Sequence, residues 1–199
     1  VTNTGTAATS GVTTVVDNYI YALRQDEKVA RRHNAFVARQ MPDLRAEHGL
    51  AHHVEITRGA ETVRIAFDFG PSEAAITHNF RVLGLDPGAI DALALSHGHW
   101  DHFGGLIGFL RTYRPAMKKP LTFYGGADHY LTRWNQRGAD RVCMGRLYRE
   151  EIERHDGRAE TVRSYLTGRG VPVTQITAIG RGSDPLIVSD TTETARTTN

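Results

Sequence analysis

The 199-residue chain holds a single cysteine, Cys143. One thiol excludes an internal disulfide framework and any cysteine-rich zinc site. No apolar run approaches the roughly 18–20 residues that a bilayer-spanning helix needs, which argues against a membrane partner. Charge of one sign is lacking too: 24 Lys and Arg face 22 Asp and Glu, a formal net charge of +2. That is too little to argue for a nucleic-acid partner. There is no initiator methionine and no secretory signal, so the chain reads as trimmed or processed. A cytoplasmic protein is expected, with an exported mature chain as the alternative. Hydrophobic residues make up 40% of the chain, enough for a core and against wholesale disorder.

What is abundant is histidine, ten in all, and three of them cluster. Their surroundings follow from the hydropathy pattern. Residues 1–11 are small and polar and read as a disordered tail. Residues 12–180 read as one domain, and 181–199 as a second polar, disordered tail. Val12 to Asn18 reads as a strand and Tyr21 to Gln40 as an amphipathic helix stopped at Met41-Pro42. Ala51–Thr57 and Thr62–Phe69, joined by a short glycine-containing link, predict a hairpin. Ser72–Leu83 predicts a helix with Ser72 as cap and Gly84 as stop. Asp91–Ser96 reads as a buried strand, His97–Gly105 as a loop, and Leu106–Tyr113 as a helix. Leu121–Tyr124 reads as a strand and Ala127–Gln136 as a helix. This alternation predicts an α/β fold, a sheet covered by helices. Beyond Gly138 the pattern weakens: Arg146–Leu166 is helix-like and Val171–Ile179 alternates as an edge strand does.

The chemistry concentrates in Ser96-His97-Gly98-His99-Trp100-Asp101-His102-Phe103-Gly104-Gly105. Three imidazoles and a carboxylate lie within six residues, after a predicted buried strand. Imidazole suits zinc and iron, and a carboxylate can share or bridge a cation. His97 and His99 can turn toward one ion, Asp101 and His102 toward a second. Gly104-Gly105 permits close packing where a helix begins. With ten histidines the H-x-H-x-D-H pattern arises by chance with a probability on the order of one in a thousand.

That segment resembles the metal-binding signature of the metallo-β-lactamase fold superfamily. Ile65-Ala66-Phe67-Asp68-Phe69-Gly70 resembles the family's strand ending in Asp and a glycine turn. Val16-Asp17-Asn18, Ala46-Glu47-His48-Gly49-Leu50 and Asn79-Phe80-Arg81-Val82-Leu83-Gly84-Leu85 are similar to the branch named for 7,8-dihydropterin-6-methyl-4-(β-D-ribofuranosyl)aminobenzene-5'-phosphate synthase. The resemblance covers about residues 12–136. It implies an αβ/βα sandwich. It implies one or two zinc ions, with iron or manganese as alternatives, held by His97, His99, Asp101 and His102. Asp101 would also handle a proton of the attacking water. It implies metal-assisted hydrolysis of a small-molecule substrate bearing an ester, amide or phosphate, in a chain that could form a homo-oligomer. Asp68 would orient a ligand rather than bind metal, or simply cap its turn.

The chain departs from the family's pattern after His102. Members supply a third His, a bridging Asp and a last His from their second half. Here only His129, on a predicted helix, and His155, in a charged helix, follow. Asp190 resembles the family's strand-end Asp but lacks a preceding Gly-His. The second half is therefore read as short or incomplete. The chain is a fragment or altered at its C-terminal part, or a neighbouring copy lends ligands, or metal is weakly held or absent. The last leaves an inactive homologue that binds metal or ligand without catalysis as the alternative function. The remaining features read as bland. One of His52 and His53 is expected to face solvent, His33 and His48 to lie on the surface, and Cys143 to be partly buried.

Overall fold

The computed structural model describes residues 8–20, 26–31, 33, 43–117, 120–155, 157–161, 167–170, 172 and 187–188. Strand β1 spans Thr9–Val16, beginning three residues before the expected Val12. Glu27 and Ala30 form an isolated antiparallel bridge around a turn, so that stretch is not the helix expected there. Asp26, Arg31 and His33 are not helical either; residues 21–25, 32 and 34–40 of the expected helix, the Val171–Ile179 strand apart from Pro172, and Asp190 lie outside the described residues.

Strands β2 (Ala51–Arg58) and β3 (Glu61–Phe67) form the predicted hairpin, with Arg58 opposite Glu61. Helix α1 covers Glu73–Val82. The Ser72 hydroxyl accepts the Ala75 N–H, and Gly84 at φ 65° follows its end, as its sequence predicts. Strand β4 is short, Ala92–Ala94. Helices α2 (Trp100–Phe103) and α3 (Leu106–Tyr113) follow it. Part of the predicted loop is thus a helical turn. Strand β5 spans Leu121–Gly125.

The predicted helix over Ala127–Gln136 is not formed. A 3₁₀ turn, Ala127–Tyr130, gives way to strand β6 (Arg133–Arg137), which pairs antiparallel with β7 (Asp140–Gly145). Gly138, at φ 62°, turns the hairpin between them. The charged stretch read as one helix is helix α4 (Arg149–Arg154) followed by strand β8 (Gly157–Thr161), which pairs parallel to β5. Propensity favoured helix in both places, and pairing to neighbouring strands overrode it. Ile187–Val188, β9, pairs with β6.

The order β1-β2-β3-β4-β5-β8 makes a mixed six-stranded sheet, and β7-β6-β9 a smaller second sheet. Helices α1 and α3 lie together over the first sheet. Phe80 of α1 and Phe109 of α3 meet at 4.9 Å between ring centres, and Phe69 meets Phe109 at 5.7 Å. Leu93 and Phe123 of the central strands and Leu106 and Leu110 of α3 are fully buried in the same core. Ile152 anchors α4 there. This is the α/β sandwich expected, with a well-formed first half and, among the described residues, a short second half. Its parallel strands β3, β4 and β5 all end at one edge, the place where α/β sheets present loops for chemistry.

Candidate metal centre

The end of β3 sets the site. Asp68, next after Phe67, is fully buried and adopts φ 59°, the sole non-glycine residue with positive φ among the described residues. Its N–H donates to the Ala94 carbonyl of β4 at 3.0 Å, so the two strand ends advance together. Its carboxylate then gathers the next loop. Oδ1 accepts the Ser96 N–H and Oδ2 the Ser96 hydroxyl, both at 2.7 Å. Oδ2 also accepts from His102 Nδ1 at 2.7 Å.

The tautomers follow from proton counting. Ser96 has one hydroxyl proton and gives it to Asp68, so its oxygen accepts from His97 Nδ1 at 2.9 Å. His97 and His102 are thereby both protonated at Nδ1, which leaves Nε2 with the lone pair that a cation requires. The imidazoles are gathered as well. The ring of His97 lies 4.3 Å from that of His99 and 4.1 Å from that of His102, centre to centre. Burial, then the neighbouring His102 and His99, pushes His97 down to about 4. It is neutral at pH 7, the state in which imidazole ligates.

The loop's glycines are demanded by contact. A Cβ on Gly104 would lie 2.3 Å from the Pro71 carbonyl oxygen, and one on Gly105 2.2 Å from that of Phe69. The Phe69 N–H donates to the His102 carbonyl at 2.7 Å, and the Gly105 N–H to that of Gly70 at 3.0 Å. The turn after β3 and the His-rich loop are thus locked together.

The structure brings all four sequence-predicted residues, His97, His99, Asp101 and His102, into one cluster. Asp101 Oδ2 lies 3.7 Å from His102 Nε2. Among the described residues, no three His, Cys, Asp or Glu side chains already converge on a common cation position. The chemistry of the donor set nevertheless fits a divalent cation: three imidazoles and a carboxylate, with two rings oriented by one buried acid.

Other histidines differ from expectation. His53 is 3% exposed, packed edge-on against Phe80, and its two ring nitrogens have no hydrogen-bond partner. His52, the more exposed of the two, is half-buried, with Nδ1 sealed from solvent and unpaired. Burial lowers both, and Asp68 is the strongest opposing influence on His52. His33 is half-buried rather than on the surface. His129 is buried in the 3₁₀ turn, not on a helix, and its Nδ1 accepts the Gly126 N–H at 2.9 Å. Its backbone packs against Gly98 of the His-rich loop. His155 ends α4, where its carbonyl accepts from Arg114 at 2.7 Å, away from this cluster's contacts. Cys143 is exposed on β7, not partly buried, because β7 is an edge strand of the second sheet and Asp140–Cys143 are all exposed. Sequence reading missed Ser96 as the link in the relay and His48 beside Asp101. The only signal for Ser96 was its position immediately before His97.

No helix among the described residues is long and apolar enough to cross a membrane. The curated 7,8-dihydropterin-6-methyl-4-(beta-D-ribofuranosyl)-aminobenzene-5'-phosphate synthase of Methanocaldococcus jannaschii is 36% identical over 66 residues, covering 33% of this chain and 22% of that protein. The match thus spans about a fifth of that relative's length. Among solved structures, the metallo-beta-lactamase fold protein YhfI of Bacillus subtilis is 14% identical with a TM-score of 0.39, covering 77% of this chain and 45% of its own. AidC, a dizinc quorum-quenching lactonase, is 16% identical with a TM-score of 0.29, covering 41% and 28% respectively. The sequence profile of the metallo-beta-lactamase superfamily matches residues 65–192, well over half of the chain, and the chain therefore belongs to that superfamily.

Proposed function

We propose that this chain is a metal-dependent, hydrolase-like enzyme acting on a small ester, amide or phosphate-bearing substrate. The reading rests on one observation above others. A single buried carboxylate, Asp68, orients His102 directly and His97 through Ser96, so that both rings turn Nε2 outward. His97 and His99 would hold one zinc ion, and Asp101 and His102 a second, with iron or manganese as alternatives. A cation held there supplies the charge that brings the pKa of water toward 7 and offsets the negative charge developing on the substrate.

The chain's own residues supply the rest. Asp101, whose side chain is 21% exposed, would take a proton from an attacking water. Asp68 holds the protons on Nδ1 of His102 and, through Ser96, of His97, preventing the wrong tautomers. Trp100, 43% exposed and next in sequence to His99 and Asp101, would shield the site. The name of the M. jannaschii relative suggests a pterin- or phosphate-bearing small molecule as substrate. A second reading, a homologue that binds metal or ligand without turnover, is favoured by the lack of three converged donors among the described residues.

Elemental analysis of chain purified without chelators, with hydrolysis of ester, lactam and phosphodiester probes, separates the two. The enzyme reading expects bound zinc and a loss of at least about a hundredfold in turnover for His99→Ala, as removal of a charge-stabilising group gives. Turnover unchanged in that variant removes the cluster from the mechanism. Metal without turnover on any probe supports the second reading.

A further inference from the structure

Imidazole approaches Asp101 from two sides. Oδ2 lies 3.7 Å from His102 Nε2 and 3.6 Å from His48 Nε2. Both separations are too long for hydrogen bonds. A tetrahedral zinc with bonds of about 2.0–2.1 Å holds neighbouring donors about 3.3–3.4 Å apart. The gaps around Oδ2 are close to that edge length.

His48 is brought there by a built arrangement. The Glu47 N–H donates to the Asp17 carbonyl at 3.2 Å, and the Glu47 carboxylate accepts the Ser72 hydroxyl at 2.7 and 2.9 Å. The Gly49 N–H donates to Asn18 Oδ1 at 3.0 Å. The Leu50 N–H donates to the carbonyl of Asp101 itself at 3.3 Å. Gly49, at φ 154°, presses so closely that a Cβ there would lie 2.2 Å from the Asp101 carbonyl oxygen. The segment is thus fastened on both flanks of His48 and directly onto the helix that carries Asp101. The His48 side chain is 78% exposed, so its ring can turn about χ1 and χ2 without disturbing the core.

We propose that His48 is a metal ligand, completing with Asp101 and His102 a three-residue set for the second ion. It takes the place of donors that the described second half does not bring to this cluster. The inference rests on the metal-dependent reading above. Two protein donors and water make an open, weak site; a third makes the arrangement usual for catalytic zinc. Rotation of the exposed ring toward the cation closes the remaining few tenths of an ångström.

The full chain, stripped by chelator and then titrated with Zn²⁺ by calorimetry and with Co²⁺ by visible absorption, tests this. His48→Ala is expected to weaken the second-bound ion about tenfold to a hundredfold or more, while the ion at His97 and His99 keeps its affinity. The Co²⁺ bands of the weaker site should lose intensity as one nitrogen donor is replaced by water. His48→Cys, which restores a donor, should recover affinity with an added thiolate-to-Co²⁺ absorption. Identical stoichiometry, affinity and spectrum in His48→Ala and the unsubstituted chain overturns the proposal, whether one ion or two are bound. The reading beneath it fails differently: an unsubstituted chain that takes up no metal, or uptake indifferent to His99→Ala, overturns both.

Discussion

Asp68 carries more of the site than its single carboxylate suggests. It accepts three hydrogen bonds, two from Ser96 and one from His102, 28 and 34 residues further along the chain. Removing its charge while keeping its shape tests the relay directly. Asn tolerates the left-handed backbone that Asp68 adopts at φ 59°, whereas Ala there adds strain of about 1–2 kcal/mol. Asp68→Asn should therefore fold but bind zinc about tenfold to a hundredfold more weakly, because His102 and Ser96 lose the acceptor that sets their protons. Asp68→Ala should lose stability as well, seen as a lower urea midpoint. Zinc affinity unchanged in the Asn variant would reduce Asp68 to a turn cap. The proposed ligands His97, His99, Asp101 and His102 were legible because they lie within six neighbouring residues. Asp68 was legible only through resemblance, since nothing local in a strand end announces a partner so far away. His48 was read as a surface residue, correctly as to exposure; its neighbour Asp101 became visible only once the fold brought the two segments together.

At the scale of elements, periodicity served well wherever one face meets the core. The β2–β3 hairpin and helices α1 and α3 stand where their patterns place them, because burial against Phe80, Phe109 and Leu110 enforces the period. Strand β6 was misread as the end of a helix over Ala127–Gln136, and β7 was not read as an element at all. The β7 residues are mostly exposed and so leave little hydrophobic alternation to read. The junction of α2 and α3 against the turn after β3 is where element packing meets the site. Gly105→Ala would set a methyl group 2.2 Å from the rigid Phe69 carbonyl oxygen. A cost of about 1–3 kcal/mol or more is expected, with the His-rich loop displaced. Gly11→Ala, where nothing lies within 4 Å of the new methyl, is the matched control and should be near neutral. Equal urea midpoints for the two variants would show that the loop is not wedged as described.

Over the whole molecule, the buried imidazoles make stability depend on pH. His52, His53, His97 and His129 are all pushed below the ordinary histidine value of 6.5, in each case chiefly by burial. His53 is the purest case, since its ring sits in the core with neither nitrogen paired. A depressed folded-state pKa means that the unfolded chain binds more protons once the pH drops below about 6.5. Stability is therefore fully present above that value and falls as the medium becomes more acid. The share due to His97 is lost down to about pH 4 and then levels off. The rings act in the same direction, so their effects on stability add as the pH falls. Metal-free chain should unfold at clearly lower urea concentration at pH 5.0 than at pH 7.5, above the range in which most carboxylates titrate. His53→Leu should be more stable at pH 7.5, having lost two unpaired buried nitrogens, and should show a smaller drop at pH 5.0. If the pH 5.0 and pH 7.5 midpoints coincide for the unsubstituted chain, the rings are not held neutral by the fold. If His53→Leu keeps the full drop, His53 is not among those responsible.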